Sequence, residues 1–149
     1  MNQFSIVITG ASGFIGQALI DYLSRSSNLF LIPLSRTMDF GFGLLDETLN
    51  LPSADILIHL ADKSEIYAQQ QDSETKDVRN SFLLKSILMK NYRSVIYLSS
   101  SAVYKPDASF FLDEKSPVQS ETSYSKNKLI NEKLVLSENG TILRLANIL

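Results

Sequence analysis

The sequence predicts an α/β fold organised around a parallel sheet, and three observations predict it. Short apolar runs rich in β-branched residues alternate with longer amphipathic stretches, the pattern of successive βαβ units. The first strand candidate runs straight into Gly10, Gly13 and Gly16, which open the first helix candidate. A later strand candidate ends in Ser99-Ser100-Ser101, placing hydroxyls at the carboxyl end, where open α/β sheets bind ligands.

Taken in chain order, the strand candidates are Phe4–Ile8, Leu29–Leu34, Asp55–Leu60, Ser94–Leu98 and Thr141–Leu145. A short third strand is expected within Thr37–Asn50, where Gly41 and Gly43 weaken the pattern. Helices are expected over Phe14–Ser26, Glu74–Lys90 and Thr122–Ser137. In the second of these, Val78, Phe82, Leu83, Ser86, Ile87 and Lys90 trace one helical face. No internal repeat or low-complexity linker interrupts the series, and 149 residues suit one domain with a real core.

Composition narrows the function classes. The net charge of −2, with no block of like charge, gives no footprint for nucleic acid. The longest apolar runs are strand-sized, far short of a membrane span, and the N-terminus lacks the layout of a signal peptide. The absence of cysteine excludes disulfides, thiolate metal sites and a Cys nucleophile, and no metal ligand set is expected. These features together predict a cytoplasmic protein.

Strand, then Thr9-Gly10-Ala11-Ser12-Gly13-Phe14-Ile15-Gly16, then amphipathic helix is the context of a dinucleotide fingerprint. The first glycine permits a tight turn, the second lets backbone approach a pyrophosphate, and the third lets helix pack against strand. The helix N-terminus then offers unpaired N–H groups to the phosphates. After the second strand, a carboxylate would hold a ribose 2′-OH and favour NAD, whereas an arginine meets a 2′-phosphate. Ser35 and Arg36 stand there with no acid, so NADP is modestly preferred over NAD.

His59 is the sole histidine, and it reads as a strand-end residue with its ring bonded to backbone rather than as a general acid or base. Tyr124 and Lys128 lie at i and i+4 of the last helix candidate, so their side chains share a face. A free phenol has a pKa of about 10, and a neighbouring ammonium favours the phenolate, which suits such a tyrosine to proton transfer. A serine hydroxyl in reach, Ser100 or its neighbour Ser101, would orient a substrate oxygen.

The glycine spacing G-x-x-G-x-x-G resembles the opening of the short-chain dehydrogenase/reductase superfamily, and Phe14-Ile15-Gly16 resembles its extended branch, which includes the NAD-dependent epimerase/dehydratase family. His59-Leu60-Ala61-Asp62 is similar to the family's H-L-A-A segment, and Ser99-Ser100-Ser101-Ala102-Val103-Tyr104 to its active-site strand end. Glu114-x-x-Pro117, Tyr124-x-x-x-Lys128, Glu132 and Arg144-Leu145-Ala146-Asn147 follow in the family's order.

The resemblance implies a Rossmann-type doubly wound parallel sheet, with Ser100, Tyr124 and Lys128 catalytic. Tyr124 would act as acid/base, and Lys128 would lower its pKa and hold the nicotinamide ribose. Beside Ser35 and Arg36, the implied cofactor contacts are Gly10, Ser12, Gly13, Phe14, Ile15, Gly16, Leu60, Ala61, Tyr124 and Lys128. The implied reaction is hydride transfer between a nucleotide-sugar carbon and NAD or NADP.

Departures from the family pattern are Asp62 in place of a small apolar residue, Lys105 in place of a glycine, and Asn127 in place of a serine. Gly43 stands where the family has an adenine-contacting aspartate, and Asp77–Ser81 only approximates the asparagine-glycine signature of the fourth helix. Relatives run to about twice this length, as against typical domains of about 100–150 residues, so truncation before the C-terminal substrate-binding region is expected. The apolar end Leu145–Leu149 would then invite docking of a second copy or of the missing C-terminal half. The competing expectation is a non-catalytic dinucleotide-binding module, acting as a sensor or subunit.

Overall fold

The β-branched run Ile6-Val7-Ile8 forms the middle of the first strand, and all three residues are buried. Successive strand residues point to opposite faces, so this burial means that both faces of the sheet are covered here, as parallel sheets require. The computed structural model of the chain describes residues 3–35, 43–44 (backbone alone), 52–62, 81, 83–105, 111–119 and 121–146. Its strands are β1 (Phe4–Thr9), β2 (Leu29–Ser35), β3 (Gly43–Leu44), β4 (Ile56–His59), β5 (Ser94–Ser100) and β6 (Thr141–Leu145). They form one sheet in the order β3-β2-β1-β4-β5-β6, and every pair is parallel. The order reverses between β1 and β4, which is the doubly wound Rossmann arrangement and sets a crevice at the carboxyl ends of those two strands.

The helices are α1 (Phe14–Leu23), α2 (residues 83–88) and α3 (Ser123–Ser137). The first ends three residues before its expected limit, because the Ser24 N–H closes the last turn on Ile20 O and a tight turn follows. Thr122 caps α3 rather than joining it. Its Oγ1 accepts from Ser125 N at 3.0 Å while Ser125 Oγ accepts from Thr122 N at 3.1 Å, a reciprocal cap. In α2 the buried side chains are Leu84, Ile87 and Leu88, an i, i+3, i+4 set. The stripe expected from sequence is thus turned: Leu83 and Ser86 are half-buried at its margin, while Val78 and Phe82 lie outside the described residues. The third strand is short and falls within the expected window.

Strand register builds the core in layers. Val7, Leu57 and Val95 stand abreast on β1, β4 and β5, and they pack with Leu84, Ile87 and Val135 from the helices. Two residues further along the same face come Thr9, His59 and Tyr97, again abreast. Ser99 follows on β5. The face therefore passes from hydrocarbon to hydroxyl, imidazole and phenol as it nears the crevice, and all of these groups are buried. At the opposite end, Asp55 accepts from Ser5 N at 3.0 Å and Ser5 Oγ at 2.8 Å, tying β1 to β4.

Candidate functional site

The glycine loop is fixed by backbone contact. Gly10 has φ +72°, and a Cβ there would stand 2.8 Å from Ala61 N. A Cβ at Gly16 would stand 2.3 Å from Gly10 O, so the third glycine is what lets α1 close on the loop. Gly13 is the N-cap of α1 and supplies no side-chain cap, so the first N–H groups of the helix face the crevice without a side chain competing for them. Ala11 N donates to Leu34 O at 3.0 Å, and Ser12 Oγ and Ser35 Oγ lie 2.6 Å apart, which joins the loop to the end of β2.

Two neighbouring cavities open along the carboxyl ends of the strands. The larger, of about 390 Å³, is bounded by the glycine loop with Phe14 and Ile15, by Ser100 at the end of β5, and by Tyr124 and Lys128 of α3. The smaller, of about 200 Å³, lies between Ser12, Ser35 and Ala61. Gly10, Gly13, Leu60 and Asp62 bound both. Every expected site residue among the described ones therefore borders this crevice; Arg36 lies outside the described residues. Ser101 instead opens the 3-10 turn Ser101–Val103, whose cap is Ser100: its Oγ accepts from Ala102 N at 3.2 Å.

Lys128 is buried against β5. Its ammonium donates to Leu98 O at 2.7 Å, pairs with Asp62 Oδ2 at 3.0 Å, and lies 5.6 Å from the Tyr124 ring centre. Asp62, which sequence reasoning left without a role, is thus the counter-ion of Lys128. Tyr97 Oη donates to the same carboxylate oxygen at 2.5 Å. Burial, and then the Asp62 carboxylate, hold the Tyr97 phenol well above the usual tyrosine range, so it stays a donor.

A second anchored carboxylate sits one turn further along α3. Glu132 accepts from Ser99 Oγ at 2.6 Å and from Arg144 Nε and Nη2 at 2.9 and 2.7 Å. Arg144 also lies 4.9 Å from the Tyr104 ring, and its hydrogen bonds with Glu132 push its pKa up. This cluster ties β5, α3 and β6 together beside Ser100.

His59 corrects the expectation of a backbone-bonded ring. Its Nδ1 lies 2.7 Å from Thr9 Oγ1, a side-chain partner. The Ala61 amide donates to that hydroxyl at 3.3 Å, and the Leu60 amide is shared between it and Thr9 O, at 3.3 and 3.2 Å. Burial lowers the imidazole from 6.5 to about 4, with Lys128 reinforcing and Asp62 opposing the shift. The ring is therefore neutral at pH 7.

The folded state resists protonating His59 while the unfolded chain accepts a proton near 6.5, so this contribution to stability is present above 6.5 and lost as pH falls towards 4. We expect the loss to reach about 3 kcal/mol across that window, measured by urea unfolding at a series of pH values. His59→Asn should lack that part of the slope; an identical slope in the variant would refute the assignment.

No helix among the described residues is long and apolar enough to cross a membrane. No curated protein matches the chain in sequence. Solved structures resemble it closely in fold. A UDP-galactose 4-epimerase superposes with TM-score 0.77 at 19% identity, covering 94% of this chain and 55% of its own. The UDP-glucuronic acid 4-epimerase from Bacillus cereus, bound to UDP-glucuronic acid and NAD, gives 0.78 at 20% identity, with 94% and 55% covered. An NAD-dependent NDP-hexosamine 5,6-dehydratase of tunicamycin biosynthesis gives 0.77 at 19%, with 95% and 54% covered. The chain thus spans about half the length of the structures it matches. The profile of the NAD dependent epimerase/dehydratase family matches residues 6–149, nearly the whole sequence, and the chain belongs to that family.

Proposed function

We propose that the chain carries the dinucleotide site and the proton-transfer residues of an epimerase, dehydratase or reductase acting on a nucleotide sugar. The observation that carries this reading is that Ser100, Tyr124 and Lys128 border the same cavity as the glycine loop. The loop fits a pyrophosphate: at Gly10 and Gly16 a side chain would collide with backbone, and the start of α1 is left bare. When bound, the nicotinamide supplies the hydride acceptor and donor.

In this reading the chain's own residues position and move the proton. Tyr124 Oη takes the proton of a sugar hydroxyl and returns it. Ser100 Oγ accepts from Ala102 N, which leaves its own proton free to bond the same sugar oxygen. Lys128 brings a cation within reach of a phenolate on Tyr124 and offers an N–H to the ribose. Buried Ser99 is held by Glu132 and so is committed to the framework, which favours Ser100 as the working serine.

The cofactor is NAD or NADP, with NADP modestly preferred because Arg36 rather than an acid follows Ser35 in the sequence. The bound NAD of the Bacillus cereus epimerase supports a dinucleotide of this class. A second reading, a dinucleotide-binding module without turnover of its own, is favoured by the chain's spanning about half of the structures it matches.

Fluorescence titration should show NADP(H) binding at least as tightly as NAD(H), and a roughly tenfold preference for NAD would overturn the Arg36 assignment. The loaded protein, given UDP-hexoses and UDP-uronic acids, should epimerise, dehydrate or oxidise at least one. Binding without turnover on any of them would leave the module reading standing in place of the enzyme reading.

A further inference from the structure

Lys128 carries three N–H donors on its ammonium, and two are already committed. One goes to Leu98 O of β5 and one to Asp62 Oδ2, just beyond β4. The side chain of Lys128 is 7% exposed and that of Asp62 11%. Asp62 belongs to neither element that flanks the lysine. It follows β4, where a tight turn from Asp62 N to Leu60 O at 2.8 Å turns the chain, and it reaches across to α3. The two residues are 66 positions apart in the sequence, so only the folded sheet brings them together.

Asp62 is itself held. Tyr97 Oη donates to Oδ2 at 2.5 Å, and Asn131 Nδ2 lies 3.5 Å from the same atom and 3.3 Å from Tyr97 Oη. Ser81 Oγ in turn donates to Asn131 Oδ1 at 3.1 Å. The Tyr97 ring also faces the ammonium, 5.0 Å from Nζ. A buried ammonium without a counter-ion is costly, whereas one paired with a carboxylate and bonded to a carbonyl is held in one place. The remaining N–H is the one left for the cavity that Tyr124 borders.

We propose that Asp62 is a positioning residue that clamps the Lys128 ammonium between the end of β4 and Leu98 O of β5, so that a single N–H is presented to the dinucleotide and to Tyr124. The proposal rests on the reading of the crevice as a dinucleotide site. It gives the departure from the family's small apolar residue a purpose: the carboxylate fixes the lysine from the strand side, and Tyr97 and Asn131 fix the carboxylate. Asp62 acts through Lys128, so its removal has no further effect on ligand once the lysine is gone.

Two measurements on the intact chain test this. The first is acetylation of Lys128 by acetic anhydride at mildly alkaline pH, read by peptide mass spectrometry against exposed Lys126 and Lys133 of the same helix. Asp62→Asn should raise the relative rate about tenfold or more, because the amine loses its counter-ion and keeps only a neutral amide oxygen to hold it. Tyr97→Phe, which keeps the ring and removes the hydroxyl that orients Asp62, should raise it about threefold and guards against a folding defect in the first variant. The second is NAD(H) affinity by fluorescence titration. Asp62→Asn should weaken it about tenfold or more, but less than about twofold in a Lys128→Met background.

An unchanged Lys128 labelling ratio in both variants would overturn the clamp. So would an equal loss of affinity with and without the lysine, which is what a merely structural role gives. Should the wild-type chain bind no dinucleotide, the crevice reading falls, and the labelling ratio alone decides whether Asp62 holds Lys128.

Discussion

Tyr124→Phe is expected to lower turnover of a nucleotide sugar by about 10²–10⁴-fold, the usual contribution of a positioned acid or base. The variant removes one oxygen and keeps the ring, which borders the cavity and lies 5.6 Å from the Lys128 ammonium. Dinucleotide affinity should therefore stay within about threefold of wild type, since the glycine loop and the start of α1 are untouched. Steady-state rates paired with cofactor titration separate the two effects. Full turnover in the variant would refute the role given to Tyr124, and a large loss of affinity would show that the phenol serves binding instead.

Glu132→Ala should cost about 3–5 kcal/mol of folding stability, read as a lower urea midpoint with an unchanged slope. Glu132 is buried, and its carboxylate receives the Ser99 hydroxyl and two bonds from Arg144. Truncation strands a guanidinium whose side chain is 20% exposed, together with a buried hydroxyl, which is the arrangement that makes breaking a buried pair expensive. Glu132→Gln keeps an acceptor oxygen and should lose roughly half as much. A loss under about 1 kcal/mol for the alanine variant would mean that water replaces the carboxylate without penalty.

The strands were legible because their signal is local. Apolar, β-branched runs fall where expected: Thr141–Leu145 with its bounds unchanged, and Phe4–Ile8 extended by one residue to Thr9. The glycine loop was legible too, since its spacing and its place between strand and helix carry the backbone requirement now seen at Gly10 and Gly16. What escaped was long-range and polar. The buried face of α3 is Ser125, Lys128, Asn131, Glu132 and Val135, a stripe that hydrophobic periodicity does not detect. Its partners Asp62, Tyr97, Ser99 and Arg144 come from other elements, so nothing in local spacing pairs them. His59 was read as a strand-end residue with its ring bonded to backbone, but its partner is the Thr9 hydroxyl, fifty residues away.

The strand order has a consequence for synthesis. The strand buried deepest between neighbours, β1, is made first, and it must wait for both of its flanking strands. Phe4 pairs with Leu29, but Ile6 pairs with Ile56, fifty residues on. At about 5–20 residues per second, the second edge of the Ile6-Val7-Ile8 segment stays open for roughly 3–10 s after it is made. During that interval the nascent chain presents an unpaired, β-branched edge of the kind that recruits other strands. Slower translation between residues 35 and 55 would lengthen the exposure, so the yield of soluble protein from this gene should be sensitive to codon choice in that interval.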